Sequence, residues 1–219
     1  MNKRSINGEV GKFKFSYGKD LVSRTSIINH LIKKYNYKSY LEIGVRDPNK
    51  GNFNNIILKN KTGVDPNPKV SQSNIIKKTS DDFFKDLPKS SKFDIIFIDG
   101  LHLENQVDND IYNSLNHISD NGLILLHDCN PPTEKHQIEE YDGKSPWNGT
   151  VWKSIAKLRM TEKNLKINTI DTDWGVGIIK KLVNGNNILE TEKLTYNFLE
   201  NNRKKVLNLI SVNQFLKKF

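Results

Sequence analysis

Cysteine is almost absent from this chain. The single Cys129 excludes an intramolecular disulfide framework and a four-thiolate zinc site. Arginine is scarce as well, confined to Arg4, Arg24, Arg46, Arg159 and Arg203. Arginine is the usual reader of phosphates and guanines, so the net charge of +9 over 219 residues does not read as a nucleic-acid footprint. The excess is lysine scattered through an asparagine-rich chain. Its clusters (Lys33-Lys34, Arg203-Lys204-Lys205, Lys217-Lys218) fall on predicted helices with apolar partners. No window approaches the ~20 apolar residues of a membrane span. The start, MNKRSINGEV, lacks the apolar core of a signal peptide. These absences point to a cytoplasmic protein with neither nucleic acid nor membrane as partner. Also missing is a G-x-G-x-x-G turn, which a dinucleotide pyrophosphate needs against a helix N-terminus.

What is present is a set of four short apolar runs, each ending in a carboxylate: SYLEIGVRD (39–47), KTGVD (61–65), FDIIFIDGLH (93–102) and GLILLHDCNPP (122–132). Apolar, β-branched runs of this length, bounded by Gly, Pro or Asp, match buried strands of a parallel sheet. In open α/β sheets ligands sit outside the carboxyl ends of the strands. Carboxylates at several such ends therefore mark one polar crevice.

The rest of the chain fits around these strands. Residues 20–36 read as an amphipathic helix, with strand one at 39–45. A short helix is expected in GNFNNIILKN, then strand two at 61–65 and strand three at 73–78. TSDDFFKDL starts a helix that Ser80 can cap, with Asp81 and Asp82 at the positive end of its dipole. Strand four is 93–99, a helix covers 104–118, and strand five is 122–127. The polar stretch 128–149 has little periodicity and reads as a binding loop. A helix in VWKSIAKLRM precedes two strands, LKINTID and WGVGIIKKL, with only Thr172 and Asp173 between them. That connection is too short for a parallel crossover, so the second strand runs antiparallel. Residues 191–219 form one or two amphipathic helices. The expectation is an α/β, Rossmann-like doubly wound sheet in one domain, 1–219. It comprises an N-terminal helix (20–36), a core (38–181) and a C-terminal helical extension (182–219).

At the first strand turn only Gly44 is a glycine, and Glu42 lies close by. An anion there disfavours a pyrophosphate and suits a sulfonium or ammonium. Asp65 ends the next strand, where a carboxylate accepts the hydroxyls of a ribose. A nucleoside without a diphosphate fits.

The blocks TSDDFF (79–84), IDGLH (98–102), HDCNPP (127–132), WNGTVWK (147–153) and DTDWGVG (171–177) carry a family resemblance. The chain resembles class I S-adenosylmethionine (SAM)-dependent methyltransferases, in particular a small bacterial group with these blocks, similar to sugar O-methyltransferases. The resemblance implies a seven-stranded sheet with the last strand antiparallel. It implies that Glu42 and Gly44 line the methionine part of SAM, that Asp65 binds the ribose, and that Thr79, Ser80 and Asp81 lie along the adenine. The second glycine of the usual E-x-G-x-G turn is replaced by Arg46, which either pairs with the SAM carboxylate or stands at the surface beside Asp47.

Asp99 and His102 follow strand four, and His127 and Asp128 end strand five. Asp99 and Asp128 can converge on a divalent cation, Mg²⁺ or another, with His127 as a third ligand or as a partner of Asp128. His102 can take the proton from an acceptor hydroxyl, with Asp99 beside it. The arrangement is similar to metal-dependent sugar and catechol O-methyltransferases. However, His127 stands where some sugar enzymes carry a carboxylate, which weakens the case for Mg²⁺. The expected activity is SAM-dependent methyl transfer to a hydroxyl of a small acceptor, a sugar or nucleotide-sugar. Alternatives are N-methyl transfer to an amino sugar, or a non-catalytic SAM-binding partner protein. A homo-oligomer is compatible with the sequence.

Overall fold

A computed structural model describes residues 7–10, 13–16, 22–143, 146–182, 189 and 193–219. The strands are β1 (Asn7–Val10), β2 (Phe13–Ser16), β3 (Tyr40–Ile43), β4 (Lys61–Val64), β5 (Ile75–Ile76), β6 (Phe93–Ile98), β7 (Ile118–Leu126), β8 (Leu165–Ile170), β9 (Val176–Lys181) and β10 (Leu209–Ile210). The helices are α1 (Arg24–Tyr35), α2 (Ser80–Asp86), α3 (Glu104–His117), α4 (Val151–Thr161), α5 (Tyr196–Val206) and α6 (Val212–Lys218). β1 and β2 form an antiparallel hairpin. The other eight strands make one sheet in the order β10-β8-β9-β7-β6-β3-β4-β5. Within it β9 runs antiparallel to both β7 and β8, and the remaining pairings are parallel.

The continuous apolar runs arise because both faces of the sheet are covered. Leu41, Ile43, Ile96, Ile98, Ile124 and Leu126 face one core with Val107, Ile111, Trp152 and Leu199 from the helices. Their neighbours Tyr40, Ile95, Phe97, Leu123 and Leu125 face the other, with Ile27, Ile28 and Leu31 of α1 and Phe215 of α6. Alternation along each strand thus serves two cores instead of one core and solvent.

The doubly wound, mostly parallel sheet with its antiparallel hairpin is as the sequence indicates. Four local expectations are corrected. The sheet has eight strands, not seven, because Leu209 and Ile210 pair parallel with Thr169 and Ile170 on the far edge. GNFNNIILKN forms only a single 3-10 turn, Phe53–Asn55. There Lys61 Nζ donates to the Phe53 and Ile56 carbonyls at 2.6 and 2.9 Å, drawing them away from a helical ladder. Thr79, not Ser80, caps α2, its hydroxyl accepting from Asp82 N. Finally β7 begins at Ile118, not at 122 where strand five is expected, and Asn121-Gly122 fall in an irregularity of its pairing with β6. A side chain at Gly122 would meet the Asp94 carbonyl at 2.8 Å, so the close approach of β6 requires glycine there. Asp20 and Leu21 of the expected first helix, and residues 183–188 and 190–192 of the C-terminal extension, lie outside the described residues. Among the described residues no helix is long and apolar enough to cross a membrane.

The C-terminal helices are fastened through buried arginines. Arg203 on α5 is 1% exposed and donates to Asn130 Oδ1 at 2.6 Å and to the Pro131 carbonyl at 2.8 Å. Tyr196 donates its hydroxyl to the Pro132 carbonyl. Arg159 of α4 donates to the Val206 and Lys205 carbonyls at the end of α5. Replacing Arg203 with methionine leaves buried acceptors unpaired. Arg203→Met is expected to cost about 3 kcal/mol in urea unfolding; an unchanged midpoint would mean α5 is held by its apolar face alone.

Candidate functional site

The chain leaves β3 to one side for β4 and β5, then returns to the other side of β3 for β6. The carboxyl ends of β3 and β6 therefore border the crevice where the strand order reverses, the place an open α/β sheet offers a ligand. Gly44 sits there with φ +95°, and a Cβ on it would lie 2.1 Å from the Asp99 carbonyl. Only glycine permits both that backbone angle and that approach. Its N–H donates to the Val64 carbonyl, tying the turn to β4.

Glu42 lies beneath this turn, 3% exposed, with Oε2 accepting from the Tyr40 hydroxyl. Burial pushes its carboxyl up to about 8, outweighing the Tyr40 hydrogen bond that favours the charged form. Asp65, 8% exposed, ends β4 and turns Oδ1 back to its own Asn67 N–H at 2.7 Å. Arg46 is exposed beyond the turn, where its backbone carbonyl accepts from Lys69 N. Thr79, Ser80 and Asp81 open α2 and face α3. There Gln106 Nε2 donates to Ser80 Oγ and Asp81 Oδ1 and to Asp110 Oδ1, each at 3.2 Å. Asp110 is 1% exposed, and burial raises it to about 6.

The polar centre lies across β6 and β7. Asp99 follows β6, hydrogen-bonded through its N–H to the Ile43 carbonyl. His127 and Asp128 follow β7, and Asp128 adopts φ +59°. His102 Nε2 lies 3.4 Å from Asp99 Oδ1 and 3.5 Å from Asp128 Oδ2. Asp99, His102 and Asp128 each offer one donor atom, and these atoms lie within 4.8 Å of one another. His102 Nδ1 is 3.0 Å from the Trp147 carbonyl, an acceptor, so Nδ1 carries the proton and donates it. In the neutral ring Nε2 then presents its lone pair to the gap between the two carboxylates.

His127 is placed differently from a ligand facing that gap. Its Nδ1 lies 2.8 Å from Asp128 Oδ2 and 3.3 Å from Asp99 Oδ1. Its Nε2 lies 3.2 Å from Arg24 Nη1 and 3.5 Å from Asp173 Oδ1. Both ring nitrogens are thus taken up by protein groups.

Charge compensation is evident throughout. Burial alone would raise Asp99, yet the charge of His127, hydrogen bonds from both histidines and Arg24 hold it well below the usual carboxylate range. The same balance brings Asp173 to about 2, against its burial, through His127 and Arg24. His102 and His127 shift upward because the neighbouring carboxylates outweigh desolvation.

The sequence blocks build this centre through their backbone. In WNGT, Trp147 O holds His102, Asn148 Nδ2 donates to Asp128 Oδ1 at 2.8 Å, and Thr150 N donates to the His102 carbonyl. Gly149, at φ +57°, packs where a Cβ would come 2.0 Å from that carbonyl. In DTDWG, the Gly175 and Trp174 carbonyls accept from Cys129 N and Asn130 N. Asp171 accepts from Asn130. Cys129 is fully buried with its thiol pushed up by burial, which suits packing and not nucleophilic attack. Trp147 stacks against His102 and Tyr141 at 5.1 and 5.3 Å, so the indole braces the histidine. His136 contacts Thr133 and tilts on Trp174, while its carbonyl accepts from Asn148 N and Gly149 N.

The structure brings Asp99, His102, His127 and Asp128 together. Glu42 and Gly44 lie at the end of β3 and Asp65 just after β4, while Thr79, Ser80 and Asp81 stand at the start of α2, where Ser80 and Asp81 meet Gln106 of α3. Three participants escape sequence reading: Arg24, Asp173 and Asp110. Arg24 Nη1 donates to Asp173 Oδ1 and Oδ2 at 3.2 and 3.3 Å, and its backbone N donates to Asp173 Oδ2 at 2.7 Å. The available signal was the polar start of the first amphipathic helix, opposite the acid of DTDWG.

Residues 41–129 match the family model described as a methyltransferase domain. Solved structures share the fold at low identity. An S-adenosylhomocysteine (SAH)-bound methyltransferase of Podospora anserina matches with TM-score 0.54 and 17% identity, over 72% of this chain and 77% of that one. A putative caffeoyl-CoA O-methyltransferase of Staphylococcus aureus matches with TM-score 0.53 and 18% identity, over 74% and 85%. The O-methyltransferase TomG of Streptomyces achromogenes, solved with SAM and involved in tomaymycin synthesis, matches with TM-score 0.51 and 10% identity, over 75% and 83%. No curated protein matches the chain significantly by sequence.

The raised carboxyl of Glu42 has a consequence for stability. Between the ordinary carboxylate value and about 8, folded Glu42 keeps a proton that the unfolded chain releases, so its contribution to stability falls as pH rises through this window. Glu42→Gln retains an acceptor for Tyr40 without the charge. The variant is expected to gain on the parent progressively from pH 5 to 8, by on the order of 3 kcal/mol at the upper end. Parallel stability curves across that range would show that Glu42 does not titrate this way.

Proposed function

We propose that this chain is a SAM-dependent O-methyltransferase acting on a small hydroxylated acceptor. One observation carries the reading: Asp99, His102 and Asp128 converge at the ends of β6 and β7, beside the glycine turn at the switch point of the sheet. The methyltransferase-domain match and the fold shared with SAM- and SAH-bound methyltransferases support it.

The residues suit both groups the reaction implies. Gly44 lets the turn after β3 pack against the Asp99–Gly100 backbone, which brings the ends of β3 and β6 together, and Asp65 Oδ2 has no hydrogen bond among the described residues and can accept from a ribose. Ser80, Asp81 and Asp110 offer hydroxyl and carboxylate acceptors to an exocyclic amine at the far end of the crevice. Asp99, Asp128 and His102 form a three-donor set for a divalent cation. A metal-ligating histidine commonly donates its other N–H to a backbone carbonyl, as His102 does to Trp147. Two carboxylates with one imidazole favour Mn²⁺ over Mg²⁺; in this set His102 is the imidazole, and His127 stands as the partner of Asp128, one of the two parts the sequence leaves open to it.

SAM supplies an electrophilic methyl group, and a divalent cation lowers the pKa of an acceptor hydroxyl. The chain itself orients. Gly44 and Asp65 fix the nucleoside, Asn148 and Trp147 hold Asp128 and His102, and Trp174 and His136 flank the acceptor side. Effective in-line placement accounts for much of the rate in such a transfer. Without a cation, the same Nε2 lone pair of His102 can take the acceptor proton directly, the role the sequence assigned to it. The acceptor class we favour is a sugar or nucleotide-sugar, on the resemblance of the HDCNPP, WNGTVWK and DTDWGVG blocks.

Two measurements test the reading. Titration with Mn²⁺ followed by electron paramagnetic resonance is expected to show one bound ion per chain, weakened about 10- to 100-fold in Asp128→Asn; no binding would leave the metal-free histidine route. Asp65→Ala is expected to weaken SAH binding in calorimetry by about tenfold or more, and unchanged affinity would remove Asp65 from the ribose site.

A further inference from the structure

We propose that Arg24 binds the carboxylate of the methionine part of SAM through the Nε–Nη2 edge of its guanidinium. The proposal rests on the SAM reading above and assigns a role to a residue outside the segment that matches the methyltransferase-domain model.

A zwitterionic amino-acid end needs an anion for its ammonium and a cation for its carboxylate. On the methionine side of the crevice Asp99 is the accessible carboxylate, since Glu42 is buried and tied to Tyr40. Three cations are within consideration. Lys61 spends its ammonium on the Phe53 and Ile56 carbonyls. Arg46 lies exposed beyond the turn, where solvent screens its charge. Arg24 is different: its Nε stands 3.7 Å from Asp99 Oδ2, beyond hydrogen-bond reach, and part of the side chain remains open to solvent.

The donor count supports the assignment. A guanidinium has five N–H donors. Nη1 is committed to Asp173, donating toward both of its carboxylate oxygens. Nε is buried without a hydrogen-bond partner, and among the described residues the side-chain hydrogen bonds of Arg24 all involve Nη1, leaving Nη2 unengaged. The Nε–Nη2 edge is the fork that matches a carboxylate with two parallel hydrogen bonds. The Nη1 bonds to Asp173, and the backbone bond from Arg24 N to the same carboxylate, hold that fork in place before a ligand arrives. With Asp99 beside it, the pair presents adjacent charges of opposite sign to the two ionic groups on one carbon.

Calorimetry with SAM and with decarboxylated SAM, which lacks only this carboxylate, tests the assignment. The parent protein is expected to favour SAM. Arg24→Met should weaken SAM by about 10- to 100-fold while changing decarboxylated SAM by less than about threefold, and Arg24→Lys should lie between. Circular dichroism melting checks that each variant is folded, and the lysine variant carries the test if the methionine variant is not. Equal weakening of both ligands, or of neither, would overturn the role of Arg24, as would a selective loss of SAM in Arg46→Ala. Failure of the parent to bind either ligand would overturn the SAM reading itself.

Discussion

Three carboxylates, those of Asp99, Asp128 and Asp173, are gathered at one end of the sheet, and holding like charges together in a partly buried place constrains everything around them. Unpaired, such a group would either protonate or spread apart. Here each carboxylate has a cationic or polar partner: Arg24 and both histidines for Asp99, His127 and Asn148 for Asp128, Arg24 and His127 for Asp173. The centre is charged but compensated. That state suits a site whose ligands are themselves cationic, because sulfonium or metal charge can replace protons on the histidines.

The loops that look irregular are the parts most narrowly determined. Asp128, Asp173 and Trp174 all adopt positive φ, unusual for residues with side chains. They are held there by backbone bonds between the 128–130 and 174–175 segments and by the buried Arg203 beyond them. Gly149 and Gly175 are needed because a Cβ there would clash with His102 O at 2.0 Å and with Asn130 N at 2.5 Å. The site is therefore assembled from loops on both sides of β7 and β9, and packing of α5 reaches it through Asn130.

Much of this was legible from residue order alone. The parallel runs, the β8–β9 hairpin and the strand-end acids follow from local pattern, since alternation and connection length constrain a chain over a few residues. The eighth strand was not legible: two residues, Leu209 and Ile210, carry no periodic signal, and their pairing depends on the arrival of α5. Nor was the lost helix at 51–60, where a lysine from the next strand takes the carbonyls. In the site, Asp99, His102 and Asp128 were singled out because their spacing from strand ends is local. Arg24 was not, as its partner Asp173 lies 149 residues away and only the fold joins them. For His127 the residue order leaves two parts open, metal ligand or partner of Asp128; its Nδ1 does lie against Asp128, while the turn of its second nitrogen toward Arg24 and Asp173 depends on the fold.

The central claim is that the crevice beside Gly44 is a sulfur-nucleoside site and not a dinucleotide site. Calorimetric titration of the purified chain with SAH and, separately, with NAD tests it most directly. The account predicts saturable binding of SAH at one site per chain and no heat from NAD. Binding of NAD, or no binding of SAH to folded protein supplied with Mn²⁺, would contradict it.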